Sequence, residues 1–266
     1  MNMADDPKPD ALMELPTVSM ARPSFIPHTH EGTEEIDANE IRLPRLAIAQ
    51  SVSPEMIPDS SSYIEGLKLY DLFNDLTQEI YGRGPITFIP ARRDVVRIEF
   101  IPRKEGGGVR DFNVPVGDPR NDWSTDPETG ERKKPKATKF VEFVIQMFRK
   151  GVNPMPIVLS IKCTNKFASR AADRLTGFIK FSDAPIYSGV YTVEAKSEKS
   201  DSGPYGVYVI KRAGFVQDKN LLDYMAVFHE NLKGKQIVVD RDESMDDASD
   251  DATFDVDHDT DEVKMA

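Results

Sequence analysis

The chain has 266 residues, with 34 Lys or Arg against 45 Asp or Glu, a formal net charge of −11 and a single cysteine, Cys163. One cysteine excludes an intramolecular disulfide framework and any zinc site built on several cysteines. No apolar run approaches the roughly 18 residues of a membrane-spanning helix, and the polar start MNMADDPKPD is unlike a signal peptide, so a soluble intracellular protein is expected.

The negative charge is unevenly spread. Residues 1–40 carry nine acids and two bases, residues 240–266 twelve acids and two bases, and the middle, 41–239, 30 bases and 24 acids. A chain that would repel a polyanion as a whole therefore has a core that attracts one. Residues 1–40 mix Pro, Asp, Glu and Thr without periodicity, a composition that predicts disorder. His28 and His30 have no companion ligands there and read as a solvated pair.

Order is expected from Ile41, where Pro44 argues for an edge strand around the proline. Residues 65–81 read two ways. Leu69, Leu72, Phe73, Leu76 and Ile80 fit a helical stripe, while residues 73–77 also suit a turn between two strands. Residues 85–102 predict a strand that alternates from Arg93 onward. Arg93, Val95, Arg97, Glu99 and Ile101 share one face, and Asp94, Val96, Ile98 and Phe100 the inward one. Arg93 and Arg97 would project together about 13 Å apart, with Arg92 beside them. Residues 106–136 form the longest irregular stretch, holding the only tryptophan, Trp123, and the run Arg132-Lys133-Lys134-Pro135-Lys136. Such a loop can clasp a flexible polyanion, or its Trp can pack over the end of a barrel.

The stretch from Lys139 to Val216 organises the rest. Residues 139–148 and 156–162 predict strands with a turn at 151–154, residues 165–179 a helix, and residues 186–196 and 205–215 two more strands joined by a polar loop. On the helix Phe167, Ala171, Leu175 and Phe178 make the buried stripe, and Lys166, Arg170 and Arg174 stack on an adjacent face. Asp173 is the only acid in the helix, one residue off that line, so three cations repel one another unless something negative lies opposite. Phosphates would suit, with Lys162 just before the helix. Tyr187, Tyr191, Tyr205 and Tyr208 accompany Lys211 and Arg212. Those facing outward would be platforms for stacked bases and those facing inward would fill the core, and the sequence leaves their faces open. Asp218 starts a last helix with a stripe of Leu221, Tyr224, Met225, Phe228 and Leu232, closed by Lys233 and Gly234. A short strand over 235–239 precedes the acidic block 240–266, which predicts a solvated, disordered tail.

The fold class implied is mainly β (α+β): one domain over 41–239 built as an oligonucleotide-binding-fold-like barrel with one or two packed helices, between disordered acidic ends at 1–40 and 240–266. PIVLSIKCTNKFASR, PIYSGVYTVEAK and YGVYVIKR, followed by the acidic tail, resemble phage-encoded single-stranded DNA-binding proteins. The resemblance implies a barrel that holds unpaired DNA through aromatics and bases in replication or recombination, inside the host cytoplasm. It also implies a tail that regulates binding and recruits replication or recombination proteins. This tail ends Val263-Lys264-Met265-Ala266, whereas that family's tails commonly finish on an aromatic after the acids; Phe254 lies inside the acidic run instead. On this reading the DNA-binding residues are Arg92, Arg93, Arg97, Trp123, Lys133, Lys134, Lys162, Lys166, Arg170, Arg174, Tyr187, Tyr191, Tyr205, Tyr208, Lys211 and Arg212. No catalytic residue, metal, cofactor or membrane partner is expected, and a homo-oligomer is left open.

Two other readings compete. Asp183 followed by Glu194-Ala195-Lys196 matches the Asp…Glu-x-Lys order that resembles metal-dependent restriction-type nucleases, where carboxylates hold Mg²⁺ and the lysine helps activate water. A noncatalytic virion or protein-interaction module would use its acidic ends for solubility alone. No P-loop, nucleophile elbow or His-Glu-x-x-His occurs.

Overall fold

A computed structural model describes residues 42–102, 105–149, 152–164, 166–200, 203–235 and 237. The acidic ends 1–40 and 240–266, with His28 and His30, lie outside the described residues, as does most of the 235–239 stretch. The first unit is a small antiparallel sheet of β1 (Leu46–Ile48), β2 (Leu72–Asn74) and β3 (Ile80–Gly82). The two-strand reading of 65–81 therefore prevails over the helix. Fully buried Asn74 accepts hydrogen bonds from the backbone N–H groups of Leu76 and Thr77, both at 2.9 Å. That side-chain bond gives the backbone a turn in place of a helical ladder.

The main sheet is antiparallel and runs β11-β10-β4-β8-β9. It comprises β4 (Ile86–Phe100), β8 (Ala137–Arg149), β9 (Val152–Lys162), β10 (Gly189–Ser200) and β11 (Gly203–Phe215), with β5 (Val109–Asp111) added to β4. A hairpin of β6 (Ser124–Thr125) and β7 (Arg132–Lys133) stands apart, and two helices, α1 (Lys166–Lys180) and α2 (Lys219–Leu232), complete the mainly β architecture. β9 begins inside the expected turn and carries Pro154 and Pro156, which a strand at a sheet margin tolerates because few of its N–H groups are needed. Residues 186–188 form a 3₁₀ turn rather than the start of β10.

One face of the sheet carries the principal core, with Phe88, Val141, Phe143, Ile145, Leu159, Tyr191 and Val193 packed under Ala171, Ala172 and Leu175 of α1 and under Leu46, Ile48 and Leu72. β1 adjoins β9 through an Arg45–Val158 bridge and reaches β11 through side chains. The Gln50 amide takes both backbone groups of Gly206, at 2.8 and 3.0 Å, and the Tyr208 hydroxyl donates to the Leu46 carbonyl at 2.6 Å. Gly206 is required here, since a Cβ would meet Ile48 Cγ2 at 2.6 Å. Among the described residues no ladder joins β1 to β11, so the expected barrel does not close by strand pairing. Two polar side chains and α1 bridge the gap, covering the edge of β11.

A bulge in β4 decides which side of the expected alternation turns toward α1. The ladder with β8 pairs Pro90 with Ile145 but Arg92 with Val144, so Ala91 is the extra residue and the side-chain parity reverses there. Phe88 and Val95 both join the principal core, and Arg93 and Arg97 share their face, on the α1 side. Asp94, expected inside, instead pairs with Arg92 at 2.8 Å on the opposite face. That face is covered by α2, whose Met225, Leu221 and Phe228 pack on Ile89 and Ala91. Asp218 caps α2 by accepting from Asn220 N at 2.8 Å, as its side chain is suited to do.

Candidate nucleic-acid interface

Arg93, on the bulged strand, is exposed and donates from Nε to Thr176 Oγ1 of α1 at 3.1 Å. Arg97 follows on the same face, and the β4–β8 ladder sets it directly opposite Lys139. Lys139 escaped the sequence reading because its neighbour is defined by register, which no spacing along one strand reveals. Among the described residues neither Arg97 nor Lys139 has a hydrogen bond or ion pair to an acid. Like charges directly opposite in a ladder are destabilising by up to about 1 kcal/mol. Cys163 lies beside them, its N–H donating to the Lys139 carbonyl at 2.8 Å, and burial pushes its thiol up from the ordinary value.

Arg170 and Arg174 lie exposed on α1, with Arg170 close enough to Tyr205 to act on its hydroxyl; burial is the main cause pushing that hydroxyl up. The side chain of Lys166 lies outside the described ones. Lys162 is half-buried. The β6–β7 hairpin holds Trp123, 51% exposed, with the Arg132 guanidinium over its ring at 4.4 Å. A surface cation–π contact of this kind is worth about 0.5–1 kcal/mol. Lys133 is paired with Asp126, and Lys134 is exposed. Ser124 pairs with Lys133, so Trp123 adjoins Lys134, five residues and at most about 18 Å from Lys139. Trp123 is half exposed and belongs to none of the core clusters, standing at the base of the β6–β7 hairpin.

Other expected contacts are used elsewhere. Tyr191, 1% exposed, sits in the core between the rings of Phe88 at 5.8 Å and Phe178 at 6.2 Å. Tyr208 spends its hydroxyl on Leu46, and burial pushes its pKa up. Tyr187 packs with the α2 cluster, its ring 5.3 Å from that of His229. Tyr191 presents no ring for stacking, while Tyr187 and Tyr208 are half-buried and packed against neighbouring layers. Arg92 donates to the carbonyls of Leu232 and Lys235 at 2.5 and 2.6 Å, holding the end of α2. Lys211 lies on the opposite sheet face from Arg93 and pairs with Glu194 at 2.7 Å. Arg212 is exposed and covers the Phe215 ring at 4.4 Å.

The nuclease-like motif shares a face as expected, but the Glu194 carboxylate is held by Lys211 and, at 3.4 Å, by Lys196. Lys211 is the main cause of its lowered pKa. Asp183 lies in an exposed turn with φ of 49°. Among the described residues no group of three or more His, Cys, Asp or Glu is arranged to hold a metal ion, and no helix is long and apolar enough to cross a membrane.

The stretch expected to be irregular proves stapled. Arg120 contacts the Glu99, Asp111 and Asp118 carboxylates at 2.8, 3.0 and 2.8 Å, and Arg110 adds a second contact to Glu99 at 3.0 Å. Hydrogen bonds from Arg120 are the main cause of lowered pKa values at Glu99 and at Asp118, the latter pushed down to about 2. The loop is thereby fixed to β4, next to Arg97, whose carbonyl accepts from Val114 N at 2.8 Å.

A family model described as Pam3 phage gp34-like protein matches residues 17–238. No curated protein and no solved structure matches the chain.

Proposed function

Starting from the premise that the chain belongs to the Pam3 phage gp34-like protein family, we propose that it is a single-stranded DNA-binding protein of phage replication or recombination. The observation that carries the reading is the cluster of Arg93, Arg97 and Lys139 on one sheet face beside α1. Cations set directly opposite each other without an acid cost stability, and a phosphate backbone would relieve that cost. Arg170 and Arg174 are exposed on α1, the helix that Arg93 bonds through Thr176, and Trp123 offers a half-exposed ring on the stretch that leads into β8 and Lys139. Surface cations together with an aromatic platform suit an unpaired strand, since stacking contributes about 1–3 kcal/mol per base and tolerates any sequence.

The last described residues of α2 are tied to Arg92, the neighbour of Arg93 in sequence. The backbone is thereby held to β4 at Lys235, five residues ahead of the acidic segment 240–266. On this reading that segment competes with DNA for the cations at an effective concentration of about millimolar and recruits partner proteins in the host cytoplasm.

A titration of the full chain with labelled oligo-dT and with duplex, repeated across salt concentrations, tests the reading. Tighter binding of the single strand, weakening as salt rises, with the strand left intact in Mg²⁺, is expected. Trp123, the single tryptophan, should report the complex by fluorescence quenching. Equal or absent binding of both oligonucleotides would overturn the proposal. Removing 240–266 should tighten binding at low salt, and unchanged affinity would remove the tail from the account.

A further inference from the structure

We infer that Phe181, at the C-terminal end of α1, stacks on a base of the bound strand; this rests on the nucleic-acid reading and adds a second aromatic contact to it. The Phe181 side chain is 88% exposed, more than any other large hydrophobic among the described residues. Phe178, three residues earlier, turns inward and stacks on Tyr191, so one helical turn separates a core ring from a surface ring. Backbone bonds hold that difference in place. Phe181 N donates to the Gly177 carbonyl at 2.9 Å, and the Ser182 hydroxyl donates to the Ile179 carbonyl at 2.8 Å. Asp183 then takes a φ of 49°, a left-handed conformation that Asp tolerates better than most residues. The turn is thus closed by hydrogen bonds, without burial of the Phe181 ring.

Its surroundings suit a base on an unpaired strand. Arg174, Gly177 and Phe181 recur at helical spacing and share one side of α1. Arg174 is exposed there, with no hydrogen bond or ion pair among the described residues. Gly177 is a poor helix former, and it leaves the flank of the ring clear, where a Cβ would touch Phe181 Cε2 at 3.8 Å. Its neighbour Thr176 accepts the 3.1 Å bond from Arg93 Nε. From Arg93 through Thr176 and Gly177 to the ring is therefore at most about 15 Å, a distance of about four nucleotides at the rise of a stacked strand. The ring calls for a base and not a phosphate. The last carbonyls of α1 form the negative end of the helix dipole, and Asp183 follows two residues on, so phosphates are favoured toward Arg174 and Arg93. A flat apolar ring beyond them is a platform that any unpaired base can cover.

Titration of oligo-dT and of an abasic deoxyribose-phosphate strand of equal length tests the inference, using the full chain, Phe181→Ala and Phe181→Trp. Phe181→Ala should bind oligo-dT about 5- to 150-fold more weakly. Its slope of log affinity against log salt should stay unchanged, because no phosphate contact is lost. It should bind the abasic strand as the unaltered chain does, and Phe181→Trp should retain the affinity for oligo-dT. The ring lies on the surface, so both variants should unfold at the temperature of the unaltered chain. Should Phe181→Ala bind oligo-dT equally well, or lose affinity for both strands alike, the stacking contact is overturned while the nucleic-acid reading stands. Should the unaltered chain show no preference for oligo-dT over duplex, that reading fails and the contact fails with it. A change in sedimentation of the DNA-free protein on Phe181→Ala would also overturn the inference, since a second copy would then be covering the ring.

Discussion

Arginines reached from the same strand meet two opposite fates. At the end of β4, Arg120 and Arg110 converge on Glu99, 4% exposed, and every charge there has a partner. A few residues earlier Arg93, Arg97 and Lys139 gather on the α1 side with no acidic partner among the described residues. The first arrangement fastens a loop, and the second leaves positive charge unspent at the surface. Net charge counts these cations alike; only geometry separates an arginine that staples a loop from one with no acidic partner among the described residues.

The largest expected effect breaks the structural group. Arg120→Ala leaves the Glu99 carboxylate with only Arg110 to balance it, and removing one partner of a charge held out of solvent is strongly destabilising. Denaturant unfolding should record that loss, while oligonucleotide affinity stays within about twofold. A stable Arg120→Ala protein would contradict the role given to Arg120. Acid should act on the same group. Glu99 and Asp118 have folded pKa values below their unfolded ones, so their contribution is complete above the ordinary carboxylate range, about 4. It is lost as pH falls toward about 2, the value for Asp118. Amides of 109–121 should therefore lose exchange protection between about pH 4 and 2 before β8 does.

A smaller effect is expected where a hydrogen bond substitutes for a ladder. Tyr208→Phe removes the bond to Leu46 and should cost about 1 kcal/mol, measured by thermal unfolding, without changing DNA affinity. Smallest is Lys211→Ala, which breaks a surface pair with Glu194 that solvent screens heavily. Affinity should barely change, because Lys211 lies on the other side of the sheet from Arg93. A large loss of binding would move the interface to that side.

Period-two and period-3.6 patterns made much of this fold legible. The long strands around Lys139–Lys162, the helix with Ala171 and Leu175 buried, and the final helix with its Asp218 cap follow from residue type and local spacing. What escaped depends on partners far along the chain. The alternation from Arg93 held and Ile98 is buried as expected, but both faces of β4 are covered, so Val95 joins the α1-side core and Asp94 pairs with Arg92 on the α2 side. Register alone brought Lys139 opposite Arg97. The staple joins Glu99 to Arg120 across 21 residues, and no local pattern announces it. Tyr191 and Tyr208 could not be assigned to core or surface until β10 and β11 were paired and α1 was laid over them.

The most direct test of the reserved cations is the salt dependence of oligo-dT binding in the full chain and in Arg97→Ala/Lys139→Ala. If both cations meet phosphates, the double variant should bind at least tenfold more weakly at low salt. Its slope of log affinity against log salt should be shallower by about 1–2, with stability unchanged or slightly raised by relief of the cross-strand repulsion. An unaltered slope and affinity in a folded double variant would contradict the account.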